Sequence, residues 1–224
     1  MDGRAQETRA AAGGDAPLRE RVIAQAPGVF VTLLSILVGL VLSDLVTEAR
    51  GRMHLWPLDL VVLRNWGQLT GNGVAAISSW MVMVHLGVAR RGLPRLSDSV
   101  STFGPPLLVL CATTFVGRAA TWPWLYGAGI YLVACIVAVG TLIRNLRVPG
   151  EPAVFSTMMR PMGPFAVLYL GAPAYLLAGL AGQLGRLPPA VDLTLTLGAT
   201  PASVVVVWMF FRDWRAALGS AEFD

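Results

Sequence analysis

Uncharged apolar runs recur along this chain at 22–43, 65–89, 99–117, 119–143, 161–185 and 193–211. Each is close to the roughly 20 residues a helix needs to cross a bilayer. The pattern predicts an all-α polytopic membrane protein of six transmembrane helices, at about 28–48, 69–89, 99–117, 124–143, 162–183 and 191–211. The first run, VIAQAPGVFVTLLSILVGLVLS, lies between Arg21 and Asp44 and is the most apolar. Its Thr32, Ser35, Gly39 and Ser43 fall three or four apart, which sets them on one helical stripe. Small and hydroxyl residues in such a stripe predict a packing face for a neighbouring helix. On that basis the first helix is expected to be the one its neighbours pack around.

The other runs differ in texture. The second carries Thr70, Asn72, Ser78, Ser79 and His85 and is expected to face other helices rather than lipid. Between the first two, the short apolar piece 55–63 is broken by Pro57 and Asp59 and flanked by Trp56 and Trp66. Tryptophan favours the headgroup level, so 53–68 reads as an interfacial or re-entrant segment. Pro173 and Pro201 sit deep in the fifth and sixth runs and predict kinks. Residues 1–21 carry eight charges of mixed sign without apolar periodicity and read as a solvated tail, as does the short stretch 216–224.

Composition agrees with a membrane domain. Of 224 residues 55% are hydrophobic and 13% charged, against roughly 25% charged in soluble domains. All 17 basic residues are Arg, which a G+C-rich codon bias explains without any demand for Arg chemistry. The net charge of +4 is modest and gives no footprint for nucleic acid. In the six-helix topology Arg4, Arg9, Arg19, Arg21, Arg90, Arg91, Arg95, Arg144, Arg147, Arg160, Arg212 and Arg215 share one side. Arg50, Arg52, Arg64, Arg118 and Arg186 share the other. Positive charge collects in the cytoplasm, so both termini are expected there, in a bacterial inner membrane, with the first helix an uncleaved anchor.

Candidate chemistry is sparse. The chain has no P-loop, GxGxxG, HExxH or GxSxG, which makes an enzyme the weaker class. Cys111 and Cys135 lie inside apolar runs and read as small core residues. His54 and His85 are too few and too differently placed for a metal site, and no cofactor is called for. Charges at a membrane edge are expensive and point to a partner or a path. Asp44, Glu48, Asp59, Arg64, Arg118 and Asp192 all fall toward the outer end. Asp44 with Glu48 reads either as an acidic mouth or, for Asp44, as a salt bridge to Arg118 or Arg64. Asp59 and Asp192 are further ion-pair candidates. His85 reads as a proton or pH site, or as a histidine bonded within the bundle. Thr194, Thr196, Thr200 and Ser203 line a pathway or bond back to their own helix.

Arg21-Val22-x-Ala24 followed by Gly28-Val29-Phe30 and a leucine-rich span resembles the opening of the small bacterial six-helix potassium channels related to the lysosomal potassium channel. The basic turn 89–98, ARRGLPRLSD, with His85 before it, is similar to that family too. The resemblance implies a pore lined by the first helix. The family's Phe-Ser-Asp positions hold Gln25, Ala26 and Pro27 here, so its defining triad is missing. Residues 30–45, with Arg52 and Trp56 downstream, are also similar to an uncharacterised bacterial group of small integral membrane proteins, which implies topology alone.

Three functions follow from these readings. The first is an oligomeric passive cation pathway, with Leu33, Leu37 and Leu40 as its constriction and Asp44 and Glu48 as its outer mouth. The second is a non-catalytic accessory or assembly subunit docking through the Ser/Gly stripe, either on itself or on other membrane subunits. The third is small-solute transport through the third, fifth and sixth helices.

Overall fold

The computed structural model describes residues 3–52, 59–88, 96–146 and 165–221. Among these the protein is entirely helical. Its elements are α1 (Gly3–Arg52), α2 (Leu60–Val88), α3 (Leu96–Thr113), α4 (Trp122–Leu146), α5 (Phe165–Gln183) and α6 (Pro189–Ala221). Four segments are long and apolar enough to cross a membrane: Ala24–Gly51, Trp122–Leu142, Ala166–Gln183 and Pro189–Arg212. The remaining two helices, α2 and α3, are diluted by polar residues. Asn65, Gln68, Asn72 and Ser79 of α2 and Asp98, Ser101 and Thr102 of α3 are buried, so their polarity is sheltered between helices.

Several boundaries depart from the sequence pattern. α1 is helical from Gly3, where a structureless tail was expected, and α6 continues to Ala221. Ala, Arg, Gln and Glu dominate 3–12, and these are strong helix formers whatever their hydropathy. The stretch read as interfacial, 53–68, overlaps the start of α2. Residues 53–58 lie outside the described residues, but 60–68 are the opening turns of α2, continuous with the rest of a 29-residue helix. The reason is Asp59: its Oδ1 accepts the Val62 N–H at 2.7 Å and its carbonyl accepts the Leu63 N–H at 2.9 Å. The residue read as an interruption is an N-cap that starts the helix.

The hub is α2, not α1. Among the described residues α2 packs against α1, α3, α4 and α6, whereas α1 packs chiefly against α2 and α3. Glycine makes the α2–α6 contact possible: a Cβ on Gly67 would lie 2.9 Å from the backbone C and O of Thr196, and one on Gly71 would lie 3.1 Å from the Ala199 Cβ. The Ser/Gly stripe of α1 is not the face it packs with inside the chain. Leu34, Val38, Val41 and Leu45 are buried there, while Thr32, Ser35, Gly39 and Ser43 are exposed and no atom lies within 4 Å of a Gly39 Cβ. Ser35 reaches another helix, accepting the Trp80 Nε1–H at 2.9 Å. Burying four large aliphatic side chains removes more apolar area than burying three hydroxyls and a glycine, and that decides which face turns inward.

Two clusters fill the core. One joins Leu34, Met83, Leu86, Cys135, Ala138, Val139, Leu142, Leu168 and Phe210, and the other joins Val38, Val41, Leu45, Ala75, Ala76, Val109, Val116, Trp124, Leu125, Tyr175 and Ala178. Pro173 and Pro201 sit inside helices that run through them, on exposed positions. Each lacks an N–H and so makes no helix bond to the carbonyl four residues earlier.

Candidate functional site: a polar column on the central helix and the cavity beside it

Arg64, Gln68 and Asn72 recur every four residues on α2, with Asn65 beside them, and all but Arg64 are at least nine-tenths buried. Buried amides in a bundle this apolar require partners. At the end of the bundle holding the α3–α4 turn, Arg64 Nη1 lies 3.9 Å from Asp192 Oδ2, and Nη2 donates a long bond of 3.4 Å to the Arg118 carbonyl. Thr121 Oγ1 donates to the same Asp192 oxygen at 2.9 Å. One turn further along α2, Gln68 Oε1 accepts the Gly117 N–H at 2.9 Å. Gly117 takes φ = 72°, a left-handed conformation that costs glycine little and turns its N–H onto the amide. Next comes Asn72, whose Oδ1 accepts the Trp124 Nε1–H at 3.1 Å. Because indole nitrogen only donates, this bond fixes which end of the Asn72 amide is oxygen.

Some atoms of this column stay unmatched. Arg64 Nε, Asn65 Oδ1, Gln68 Nε2, Asn72 Nδ2 and Asp192 Oδ1 are buried without a hydrogen-bond partner among the described residues. The column leads to a cavity of about 130 Å³ bounded by α2, α3, α4, α5 and α6. Asn72, Ser79, Trp124, Tyr131, Cys135, Tyr175 and Phe210 are among its lining residues. Tyr131 donates to the Ala75 carbonyl at 3.2 Å, so in the 2.9 Å pair with Ser79 the serine hydroxyl is the donor. Tyr175 donates to the Leu195 carbonyl at 2.6 Å, and its ring meets Trp124 edge-on at 6.1 Å. Of the buried side-chain polar atoms lining the cavity, Asn72 Nδ2 is the one without a partner among the described residues.

The residues singled out in the sequence fall into three groups. Arg64, Arg118 and Asp192 do come together, but the expected bridge from Asp44 to Arg64 or Arg118 does not form. Thr113 Oγ1 hydrogen-bonds Asp44 instead, while Arg118 Nε donates to Thr114 O at 2.8 Å with its guanidinium over the Phe115 ring. The last residue of α3 supplies a hydroxyl to Asp44, and Arg118 in the turn that follows stays exposed. Asp59 caps α2. On α1, Leu33 and Leu40 are exposed at 49% and 55%, whereas Leu37, Asp44 and Glu48 are half-buried. His85 bonds through Nδ1 to its own helix at Met81 O, 2.7 Å, and sits edge-on to Phe211 at 4.7 Å. A carbonyl only accepts, so Nδ1 carries the proton. Thr194, Thr196 and Ser203 bond back to Ala190, Asp192 and Ala199, and only Thr200 reaches another helix, at Thr70 Oγ1, 2.9 Å away.

Sequence reasoning passed over Gln68, Trp124, Tyr131 and Asp98. Asn65 and Gln68 carried a usable signal, being the only amides besides Asn72 within a 25-residue uncharged run. Trp124 is 1% exposed, its ring meeting Tyr175 edge-on at the cavity wall.

The fold defines the class: a helical protein with membrane-compatible apolar helices. No family model matches the chain, and neither the curated proteins nor the solved structures contain a match.

Proposed function

We propose that this chain is a six-crossing membrane protein with both termini cytoplasmic, and that its bundle binds a small lipophilic solute in the cavity between α2, α4, α5 and α6. The observation carrying this reading is the buried Asn72 amide, which gives its oxygen to Trp124 and holds an unmatched N–H₂ at an otherwise apolar cavity. Ligand sites commonly have this build: an apolar lining with a few fixed polar groups. Of the functions left open by the sequence it lies nearest to the third, small-solute transport through the third, fifth and sixth helices, and the cavity is lined from these three and from α2 and α4. Six crossings are supported by the shelter given to the polar residues of α2 and α3, and the orientation by the Arg distribution.

The oligomeric cation pathway is a second reading. It is favoured by Leu33, Leu37, Leu40, Asp44 and Glu48 all falling along one side of α1, with two of the leucines uncovered. It is disfavoured by Asp44, whose carboxylate is engaged by Thr113. The accessory-subunit role rests on the open face around Gly39.

Native mass spectrometry from mild detergent separates the three. A small lipophilic adduct retained by the chain is the expected result. An adduct-free homo-oligomer that conducts cations in liposomes, and loses conductance with Asp44→Asn plus Glu48→Gln, replaces the solute reading with the channel. A stoichiometric complex with other membrane subunits and no adduct replaces it with the accessory role.

A further inference from the structure

The cavity narrows the chemistry of what it would hold, taking as given that it is the binding site. Three observations bear on this. Size is the first: about 130 Å³ is close to the roughly 150 Å³ of an apolar cavity that takes up benzene. Trp124, Tyr131, Tyr175 and Phe210 contribute four aromatic side chains to its walls. A single flat ring fits.

Depth is the second. Asn72 lies 12 residues after Leu60 and 16 before Val88, so about 18 Å and 24 Å of helix flank it at roughly 1.5 Å per residue. The amide therefore sits near the middle of a membrane-spanning helix, beyond the reach of a phospholipid headgroup. The group it bonds must belong to a molecule that lives within the hydrocarbon.

Hydrogen-bond parity is the third. The hydroxyl protons of Ser79, Tyr131 and Tyr175 are all committed, the Trp124 N–H goes to Asn72, and the Ser203 hydroxyl goes to Ala199 O at 2.8 Å. What remains among the buried side-chain atoms of the lining is a donor, Asn72 Nδ2. A carbonyl accepts from this donor and brings no proton of its own, whereas a lipid alcohol would also have to place its proton on a hydroxyl oxygen that already donates, such as that of Tyr175.

We propose that the cavity binds the ring of a lipid-soluble quinone, with Asn72 Nδ2 donating to one ring carbonyl and the hydrophobic tail left in the bilayer. The route in is lateral. α5 packs on α4 and α6 on α2, and although residues 184–188 join them directly, α5 and α6 touch little. Gly171 on α5 and Ala202 and Ser203 on α6 are small residues lining the cavity from these two helices. A quinone diffusing in the membrane reaches the ring site between them without crossing a headgroup layer.

The test uses the full chain in lipid nanodiscs, with decyl-benzoquinone as ligand and decylbenzene as a competitor of the same shape that lacks carbonyls. Quinones quench indole fluorescence on contact, and Trp124 lines the site. Saturable quenching is expected. Asn72→Leu should weaken it about tenfold, the equivalent of roughly 1.4 kcal/mol for one lost bond to a buried donor. Ala202→Phe, which leaves the amide and its indole partner in place, should abolish saturation by filling the cavity. Decylbenzene should displace the quinone only at about tenfold higher concentration. Equal competition by decylbenzene, with Asn72→Leu unchanged, overturns the quinone assignment and leaves the cavity as a binding site. Saturable quenching that survives Ala202→Phe places the quinone elsewhere and also overturns it. No saturable quenching by the quinone, together with no thermal stabilisation by either compound, overturns both the ligand and the site.

Discussion

Gly67→Ala tests the helix contact on which the column depends. The added Cβ would lie 2.9 Å from the Thr196 backbone C, from its carbonyl O and from its Cγ2. Comfortable carbon contacts are about 3.5–4.0 Å, so α6 must retreat by roughly 0.6 Å or more, because two of the three atoms are main chain and cannot rotate away. Such overpacking costs about 1–3 kcal/mol. Against it stands the helix-propensity gain of Ala over Gly, at most about 1 kcal/mol. The sum runs from near zero to about 2 kcal/mol destabilising. Gly39→Ala supplies the control, since a Cβ there meets nothing within 4 Å and only the propensity gain remains. The two variants should therefore differ by about 1–3 kcal/mol, with Gly67→Ala the less stable. Thermal unfolding in detergent, read by reaction of the buried Cys135 with a thiol-activated dye in a Cys111→Ser background, measures the difference. The retreat would also stretch the 2.9 Å Thr70–Thr200 bond and the 3.9 Å Arg64–Asp192 pair, so an Arg64→Leu change should cost less in Gly67→Ala than in the parent. Equal melting of the two alanine variants would refute the close α2–α6 approach.

Two further outcomes follow from the same geometry. Arg64 and Asp192 are 17% and 14% exposed and close in space, so removing one charge strands the other. Arg64→Leu or Asp192→Leu alone should each cost about 3 kcal/mol, and the double variant less than the sum by at least about 1 kcal/mol. Strict additivity in that double-mutant cycle would show the pair to be uncoupled. For orientation, single cysteines replace exposed residues at the two ends of the bundle in a cysteine-free chain. Asp59→Cys and Arg118→Cys should react with an impermeant maleimide in intact cells, and Arg144→Cys only after lysis. The reverse pattern would invert the proposed topology.

The helical class was legible because the physics that sets it is local. An uncharged run of about 20 residues satisfies its backbone internally as a helix whatever surrounds it, so each apolar run falls largely within one of α1 to α6, although α1 and α6 extend well beyond theirs. The polar second run was correctly placed among other helices for the same reason: amides such as Asn72 are too costly to leave in lipid. Asp59 shows where a local signal was present and misread, since the Asp read as a break in an apolar segment is equally a helix N-cap.

What lay beyond the sequence was pairing. Thr32, Ser35, Gly39 and Ser43 form a stripe on α1 in any helix, but whether that stripe or the opposite Leu/Val face turns inward depends on which neighbour comes close. Asp44, Arg64, Arg118 and Asp192 were rightly gathered at one end by their order along the chain. Which carboxylate took the arginine was decided by the α6 N-terminus arriving beside Arg64 and by Thr113 reaching Asp44 first. The Asn72 amide and the ring walls of its cavity come from helices that are far apart in sequence, Trp124 lying 52 residues on and Tyr175 beyond that. The chain on its own determined that helices form and where their apolar middles lie, through hydropathy that acts over a few residues. Tertiary structure alone decided that α2 is the hub and that one of its buried amides holds an unmatched donor over a cavity, because both depend on the close α2–α6 approach that Gly67 permits.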